Sequence, residues 1–210
     1  MIIKTVTGAG YGDEGKGLMT DYFCDILHNH KVLNIKVNGG AQAGHTVCRL
    51  DKESKQYKHW VFRQYGSGTF TGADTYLLDT FMVNFSELLI ERKMLREIYN
   101  INTKLYIDKR CRVTLPADIV MNRCVEEHRT HRHGSCGLGI YETFHRNNDF
   151  EAITVKDLIK KFIENNEVKF ENYLYELAKS YITYRACEVY KTDNINISNI
   201  EMEKMLNQVK

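Results

Sequence analysis

Residues 8–17, Gly-Ala-Gly-Tyr-Gly-Asp-Glu-Gly-Lys-Gly, hold side chains and backbone suited to phosphate chemistry. They follow an apolar run, Ile2-Ile3-Lys4-Thr5-Val6, that reads as a first buried strand, and they precede a helical pattern beginning near Leu18. In a strand, glycine-rich turn and helix, bare N–H groups and a helix N-terminus face an anion. Lys16 adds a cation where phosphate charge would sit. Gly10-x-x-x-x-Gly15-Lys16 has the Walker A spacing, but Gly17 follows where a serine or threonine would supply a hydroxyl to magnesium. Asp13, inside the loop, is a replacement ligand or a base. A plain strand-to-helix turn is the bland alternative, and it does not call for a lysine and two acids among so many glycines.

A second cluster lies just downstream. Val32-Leu33-Asn34-Ile35-Lys36-Val37 reads as a strand running into Asn38-Gly39-Gly40-Ala41-Gln42-Ala43-Gly44-His45-Thr46. Two glycine-rich loops after successive strands predict a site at the carboxyl edge of a parallel sheet. His45, after a flexible loop and beside a hydroxyl, is a candidate acid–base group rather than a core histidine.

Together these loops resemble those of the adenylosuccinate synthetase family. That family carries Gly-Asp-Glu-Gly-Lys-Gly near its start, matched by residues 12–17, and Gly-Gly-x-Asn-Ala-Gly-His-Thr, matched by residues 39–46 with Gln42 in place of asparagine. Gly66-Ser67-Gly68 is similar to its Leu-Pro-Ser-Gly segment. Gly134-Ser135-Cys136-Gly137-Leu138-Gly139-Ile140-Tyr141 is similar to its Gly-Thr-Thr-Gly-Arg-Gly-Ile-Gly. The resemblance implies a ligase that joins IMP and aspartate at the expense of GTP. In it, Asp13 would take the purine N1 proton and bind Mg2+ with the Gly44 carbonyl, and the 6-oxygen would attack the γ-phosphorus. His45 would stabilise or protonate the developing charge. It further implies nucleotide contacts at Gly12, Glu14, Gly15, Lys16, Gly17, Gln42, Ala43, Thr46, Ser135 and Cys136, and a homodimer in which an arginine, loosely matched by Arg146, reaches the neighbouring site.

The departures bear on substrate more than on phosphate chemistry. Ser135-Cys136 replaces a Thr-Thr pair, and cysteine is a poor hydrogen-bonding group. Leu138 replaces an arginine, and Leu78-Asp79-Thr80 stands where the family has Gly-Asn-Gly. Neither an Asn-Lys-x-Asp nor a Thr-Lys-x-Asp guanine motif occurs in the 210 residues, nor does the family's glycine-rich aspartate loop. Three readings follow. The chain is a compact synthetase-like enzyme, one half of a split synthetase completed by a second chain, or a nucleotide-binding protein without ligation. A Walker-type NTPase outside purine synthesis is a further alternative.

The elements that must position these groups alternate. Thr75–Leu78 and Phe81–Val83 read as extended. Ser86 caps a helix to about Ile98 with Leu88, Leu89, Met94 and Leu95 on one face. Lys104–Val113 is strand-like, with Leu105, Ile107 and Cys111 inward, and Pro116 opens a helix to about His128. Residues 155–190 are mainly helical, and Asn199 caps a last helix with Met202, Met205 and Leu206 on one face. The fold class expected is α/β: a P-loop-like, mostly parallel sheet with flanking helices and a helical subdomain toward the C-terminus. The division expected is a nucleotide-binding region over 1–155 and a helical continuation over 156–210.

Composition excludes some classes. A net charge of +2, with 29 basic against 27 acidic residues, gives no argument for nucleic acid. No apolar run is long enough for a bilayer and no leader pattern opens the chain. The six cysteines form no C-x-x-C pair, so reduced thiols in a cytoplasmic protein are expected. Residues 126–134 hold His128, His131 and His133, which with Cys136 have a zinc-like look. Arg129 and Arg132 among them favour a solvated or nucleotide-facing loop instead.

Overall fold

The computed structural model describes residues 1–50 and 55–209, in two compact units, Met1–Asp108 and Lys109–Lys210. The expected division point, 155/156, falls inside the second unit, where the helix opened by Pro116 builds its core with the C-terminal helices.

In the first unit α1 (Lys16–Ile26) precedes β1 (Leu33–Lys36). A hairpin of β2 (His45–Leu50) and β3 (Tyr57–Phe62) follows, then a 3-10 turn over Ser67–Thr71, β4 (Asp74–Leu77), the short β5 (Met82–Val83), α2 (Phe85–Glu97) and β6 (Leu105–Ile107). The sheet has the order β1-β4-β6 and is parallel throughout. Ile35 pairs with Tyr76, and Tyr76 with Tyr106. Alternation along β4 sends Thr75 and Leu77 inward, both 0% exposed. The hairpin runs in a register that sets His45 opposite Phe62 and Val47 opposite Trp60. Val47, Phe62, Tyr65, Met94 and Leu95 form the core beneath it, with Phe70 stacked edge-on against Phe62 at 4.9 Å.

Two sequence expectations fail here. Residues 2–6 form no strand: Ile2 and Ile3 are exposed, and among the described residues β1 makes ladder bonds with β4 alone. The segment is drawn to α1, where the Lys4 ammonium lies 5.7 Å from the Phe23 ring. On α2, Asn84 rather than Ser86 is the cap, its side chain accepting the Glu87 N–H at 3.1 Å. That phase buries Leu88, Glu91, Met94 and Leu95 and leaves Leu89 in solvent.

The second unit carries β7 (Arg112–Val113), α3 (Pro116–His128), α4 (Ile140–Asp149), α5 (Val155–Glu164), α6 (Glu167–Asp193) and α7 (Asn199–Gln208). Its core joins Val120, Met121 and Cys124 of α3 to Tyr181, Ile182 and Val189 of α6 and Met205 of α7. Ser198, one residue before the expected Asn199, caps α7 in a reciprocal box with Glu201. Met202 and Leu206 pack with Met205 as their spacing predicted. Among the described residues, no helix is long and apolar enough to cross a membrane.

Candidate functional site

Helix α1 starts without a side-chain cap. Its N-cap, Gly15, has φ 73° and makes no side-chain cap bond among the described residues, the state of a helix start that can take a ligand. Gly17 and Cys24 lie on the buried face of the helix. A Cβ on Gly17 would stand 2.9 Å from the Cβ of His45, so only glycine lets β2 begin against the first turn of α1. The hairpin is tied to the same helix further along. Arg49 donates to Asp21 at 3.2 and 3.3 Å and also pairs with Asp25.

The glycine loop itself curls around an internal anion. The Glu14 carboxylate accepts the Gly10 N–H and the Lys16 ammonium, the latter at 2.5 Å. Lys16 first, then the Gly10 N–H, hold the Glu14 carboxyl below the usual carboxylate range. An N–H and an ammonium on one carboxylate are contacts of the kind a phosphate oxygen makes. Asp13 sits in the left-handed region, φ 52°, with its side chain exposed and no hydrogen bond or ion pair to another side chain among the described residues.

His45 is half-buried, and its pKa is pushed down to about 4, by burial first and then by the charges of Lys36 and Lys16. The unliganded imidazole is therefore neutral at pH 7 and can donate one hydrogen bond. The expected residues Gly17, Lys16 and His45 are thus brought together by α1 and β2. Gln42, Gly44 and Thr46 are exposed on the second loop or at the start of β2, and Ala43 is half-buried. Gly44 is required for close approach: a Cβ there would lie 2.8 Å from Val61 Cγ1.

Three residues around this site were not among the sequence candidates. Lys36, at the end of β1, is 7% exposed, and burial pulls its pKa down to about 8. Glu91 is 3% exposed on α2, and burial raises its pKa. Arg63 reaches from the end of β3 to the Ala41 carbonyl at 2.7 Å. The signal was present: a lysine ending an apolar strand, and a glutamate on the apolar face of a helix, both need a reason for burial.

The third loop lies in the second unit and is braced by α3. Ser135 Oγ donates to Asn122 at 2.9 Å, and Glu126 accepts the N–H groups of Gly134 at 2.8 Å and Ser135 at 3.3 Å. Arg123 donates to the Gly137 carbonyl at 3.0 Å. Cys136 is exposed. Arg146 must be corrected as a nucleotide contact. It is 0% exposed, paired with Asp118 at 2.7 and 3.0 Å, and it donates to the carbonyls of Val113 and Glu151. All its charge is used inside the unit. The histidines do not converge: His128 pairs with Glu201 at 2.9 Å and His133 meets Arg129 at 2.8 Å. No cluster of metal-ligating side chains occurs among the described residues.

Comparison with known proteins places these features in a family context. The family model for adenylosuccinate synthetase matches residues 5–210. The chain is 27% identical over 170 residues to the adenylosuccinate synthetase of Borrelia duttonii, covering 80% of this chain and 37% of that protein. It is 30% identical over 163 residues to that of Lactobacillus helveticus, covering 77% and 36%. Among solved structures, fully ligated adenylosuccinate synthetase from Plasmodium falciparum superposes with a TM-score of 0.58 at 20% identity, over 95% of this chain and 42% of that one. Cyanophage S-2L succinoaminodeoxyadenylate synthetase, bound to dGMP and dATP, superposes at 0.50 and 18%, over 71% and 39%. The chain spans about two fifths of the length of these relatives.

Proposed function

Because the chain belongs to the adenylosuccinate synthetase family, we propose that its first unit carries the phosphoryl-transfer site of a purine nucleotide ligase. The observation that carries this reading is the meeting of the uncapped α1 N-terminus, Lys16 and His45 at Gly17. The N–H groups of residues 12–17 and the Lys16 ammonium would bind the phosphates of a nucleoside triphosphate such as GTP. The free carboxylate of Asp13 fits two tasks. It would accept the N1 proton of a 6-oxopurine monophosphate, which makes the 6-oxygen nucleophilic. With the Gly44 carbonyl it would also hold Mg2+, an ion that takes one or two protein oxygens and completes its shell with phosphates and water. When bound, the ion would neutralise phosphate charge during transfer.

His45, neutral before binding, would donate a hydrogen bond to the oxygen on which charge develops. Its partial burial keeps that bond out of bulk water and so strengthens it. Aspartate would then displace the 6-phosphoryl group and form the carbon–nitrogen bond. The identity of the triphosphate, purine and amino acid belongs to this proposal, as do a homodimer and a cytoplasmic setting.

The span of the match favours a second reading beside the first. Parts of the relatives outside that span would come from further polypeptide, on this chain or on a second one. A non-catalytic nucleotide-binding protein is what remains if transfer is absent. Positional isotope exchange tests the step itself. GTP labelled with 18O at the β–γ bridge is incubated with Mg2+ and IMP, without aspartate. The same experiment with dATP and dGMP covers the pair held by the phage enzyme. Scrambling that is lost in Asp13→Asn supports phosphoryl transfer, and nucleotide binding without scrambling rules out transfer by these 210 residues alone, leaving the completed and the non-catalytic readings.

A further inference from the structure

The end of β3 is gripped by two buried charges of opposite sign. Glu91 accepts the backbone N–H groups of Arg63 at 2.8 Å, Gln64 at 2.7 Å and Tyr65 at 3.0 Å, and the indole N–H of Trp60 at 3.2 Å. Lys36 donates its ammonium to the carbonyl of Arg63 and, at 3.4 Å, to that of Tyr65, and it lies 5.1 Å from the Phe81 ring. Donors and acceptors of residues 63–65 are thus held from α2 on one side and from β1 on the other. With its backbone locked, Arg63 has a fixed point of departure for its side chain.

That side chain crosses to the second glycine loop. Arg63 Nη1 donates to the Ala41 carbonyl at 2.7 Å, and Ala41 is 0% exposed. Within the loop the hydrogen bonds are short-range ones, Ala43 N–H to the Gly40 carbonyl at 3.1 Å and Gly44 N–H to the Gln42 carbonyl at 3.0 Å, while at its start the Gly39 carbonyl accepts the Met82 N–H at 2.9 Å. Such turns set local shape but do not anchor a loop to its surroundings. Beyond the tie at Gly39, the guanidinium supplies an anchor at Ala41, nearer Gly44 and His45. It runs beside Gly44, whose missing Cβ would stand 3.8 Å from Arg63 Nη1. His45 follows and starts β2 opposite Phe62, the residue before Arg63.

We propose that Arg63 is a positioning residue, fixing the second loop so that the Gly44 carbonyl and His45 face the phosphoryl group, with Lys36 and Glu91 holding Arg63 in turn. The inference rests on reading that loop as part of the nucleotide site. Arginine suits the task because its planar, always-charged fork holds one geometry, whereas a lysine is a flexible point charge.

The test uses the full chain as parent, Arg63→Gln and Arg63→Lys. Amide hydrogen exchange is followed over residues 39–46 and over the paired residues of β2 and β3, beside thermal unfolding and calorimetric titration with Mg–GTP and IMP. In Arg63→Gln, exchange over 39–46 should rise about tenfold or more while the hairpin amides and the melting temperature stay near the parent's. Nucleotide affinity should fall about tenfold, with Arg63→Lys between the two. Unchanged exchange over 39–46 in Arg63→Gln overturns the proposal, as does equal loosening of loop and hairpin, which would make Arg63 a general support. If the parent binds no nucleotide, the functional reading fails, and the exchange comparison still decides what Arg63 does.

Discussion

Gly17 and His45 touch across the site: a Cβ at position 17 would lie 2.9 Å from His45 Cβ and 3.3 Å from its Cα. This contact explains why the loop lacks the serine or threonine that usually follows the Walker lysine. Any side chain there would drive β2 away from α1. Gly17→Ala should therefore cost about 1–3 kcal/mol of stability, the range for overpacking a close contact. It should also weaken triphosphate binding, because the imidazole would move with the hairpin. Chemical denaturation and calorimetry on the same variant measure both. A variant as stable as the parent with unchanged affinity would show that the contact positions nothing.

Lys16 now spends its charge on Glu14, at 2.5 Å. A phosphate must take over that ammonium, so binding exchanges one anion for another. Lys16→Ala should lower triphosphate affinity by about 1.5–3 kcal/mol, the range for charge-assisted hydrogen bonds. The parent's affinity should fall as salt rises, because the site is partly exposed. Titrations at two ionic strengths check both expectations.

Lys36 makes stability depend on pH in a defined direction. Its folded pKa is pulled by burial to about 8, while the unfolded chain keeps the ordinary value of 10.5. Between these values the unfolded chain binds more protons, so the group's contribution to folding improves as pH rises through the window. Below pH 8 the buried charge is a standing cost. Relative to Lys36→Met, the parent should gain on the order of 2 kcal/mol between pH 7.5 and 10. Denaturant unfolding of the pair across that range reads it out, and a constant gap would contradict it.

In the second unit, Arg146 and Asp118 form an ion pair with both side chains 0% exposed. Asp118→Asn would leave the guanidinium without its counter-charge and should cost about 3–5 kcal/mol. Because Arg146 is spent on structure, replacing both residues with Met and Leu should preserve nucleotide affinity. A double variant that folds yet loses nucleotide binding would restore Arg146 as a ligand contact.

The pattern of what was legible in the sequence has physical causes. Helix boundaries at Pro116 and His128 could be read because proline and apolar spacing are local signals. The first glycine loop was legible because glycine, lysine and acid at fixed spacing state a backbone need and a charge need together, and the second because its glycines lead straight into His45-Thr46. The pairing of β2 with β3 was not foreseen, since their apolar alternation is broken by exposed Leu50 and Tyr57 and by part-buried Arg49 and Lys58, and Phe62 and Val47 pack against the α2 residues Met94 and Leu95. Residues 2–6 looked like a strand by composition, but a strand exists only through a neighbour's ladder bonds, and periodicity does not report those. Arg146 entered as a loose match to the family's arginine after the third loop, and its pairing with Asp118, 28 residues away, was not legible in the sequence. The residue types of Lys36 and Glu91 signalled a need for partners, but those partners, like the one of Arg63, lie more than twenty residues away and could not be read.

Calorimetric titration of GTP and IMP into the parent, Lys16→Ala and Asp13→Asn, each with and without Mg2+, decides whether the first loop is a phosphate site. The parent should bind the triphosphate in a Mg2+-dependent way, and Lys16→Ala should lose about tenfold or more in affinity. In Asp13→Asn binding should persist but no longer respond to Mg2+. No heat with any nucleotide, or a Lys16→Ala chain that binds as tightly as the parent, would contradict that role for the loop.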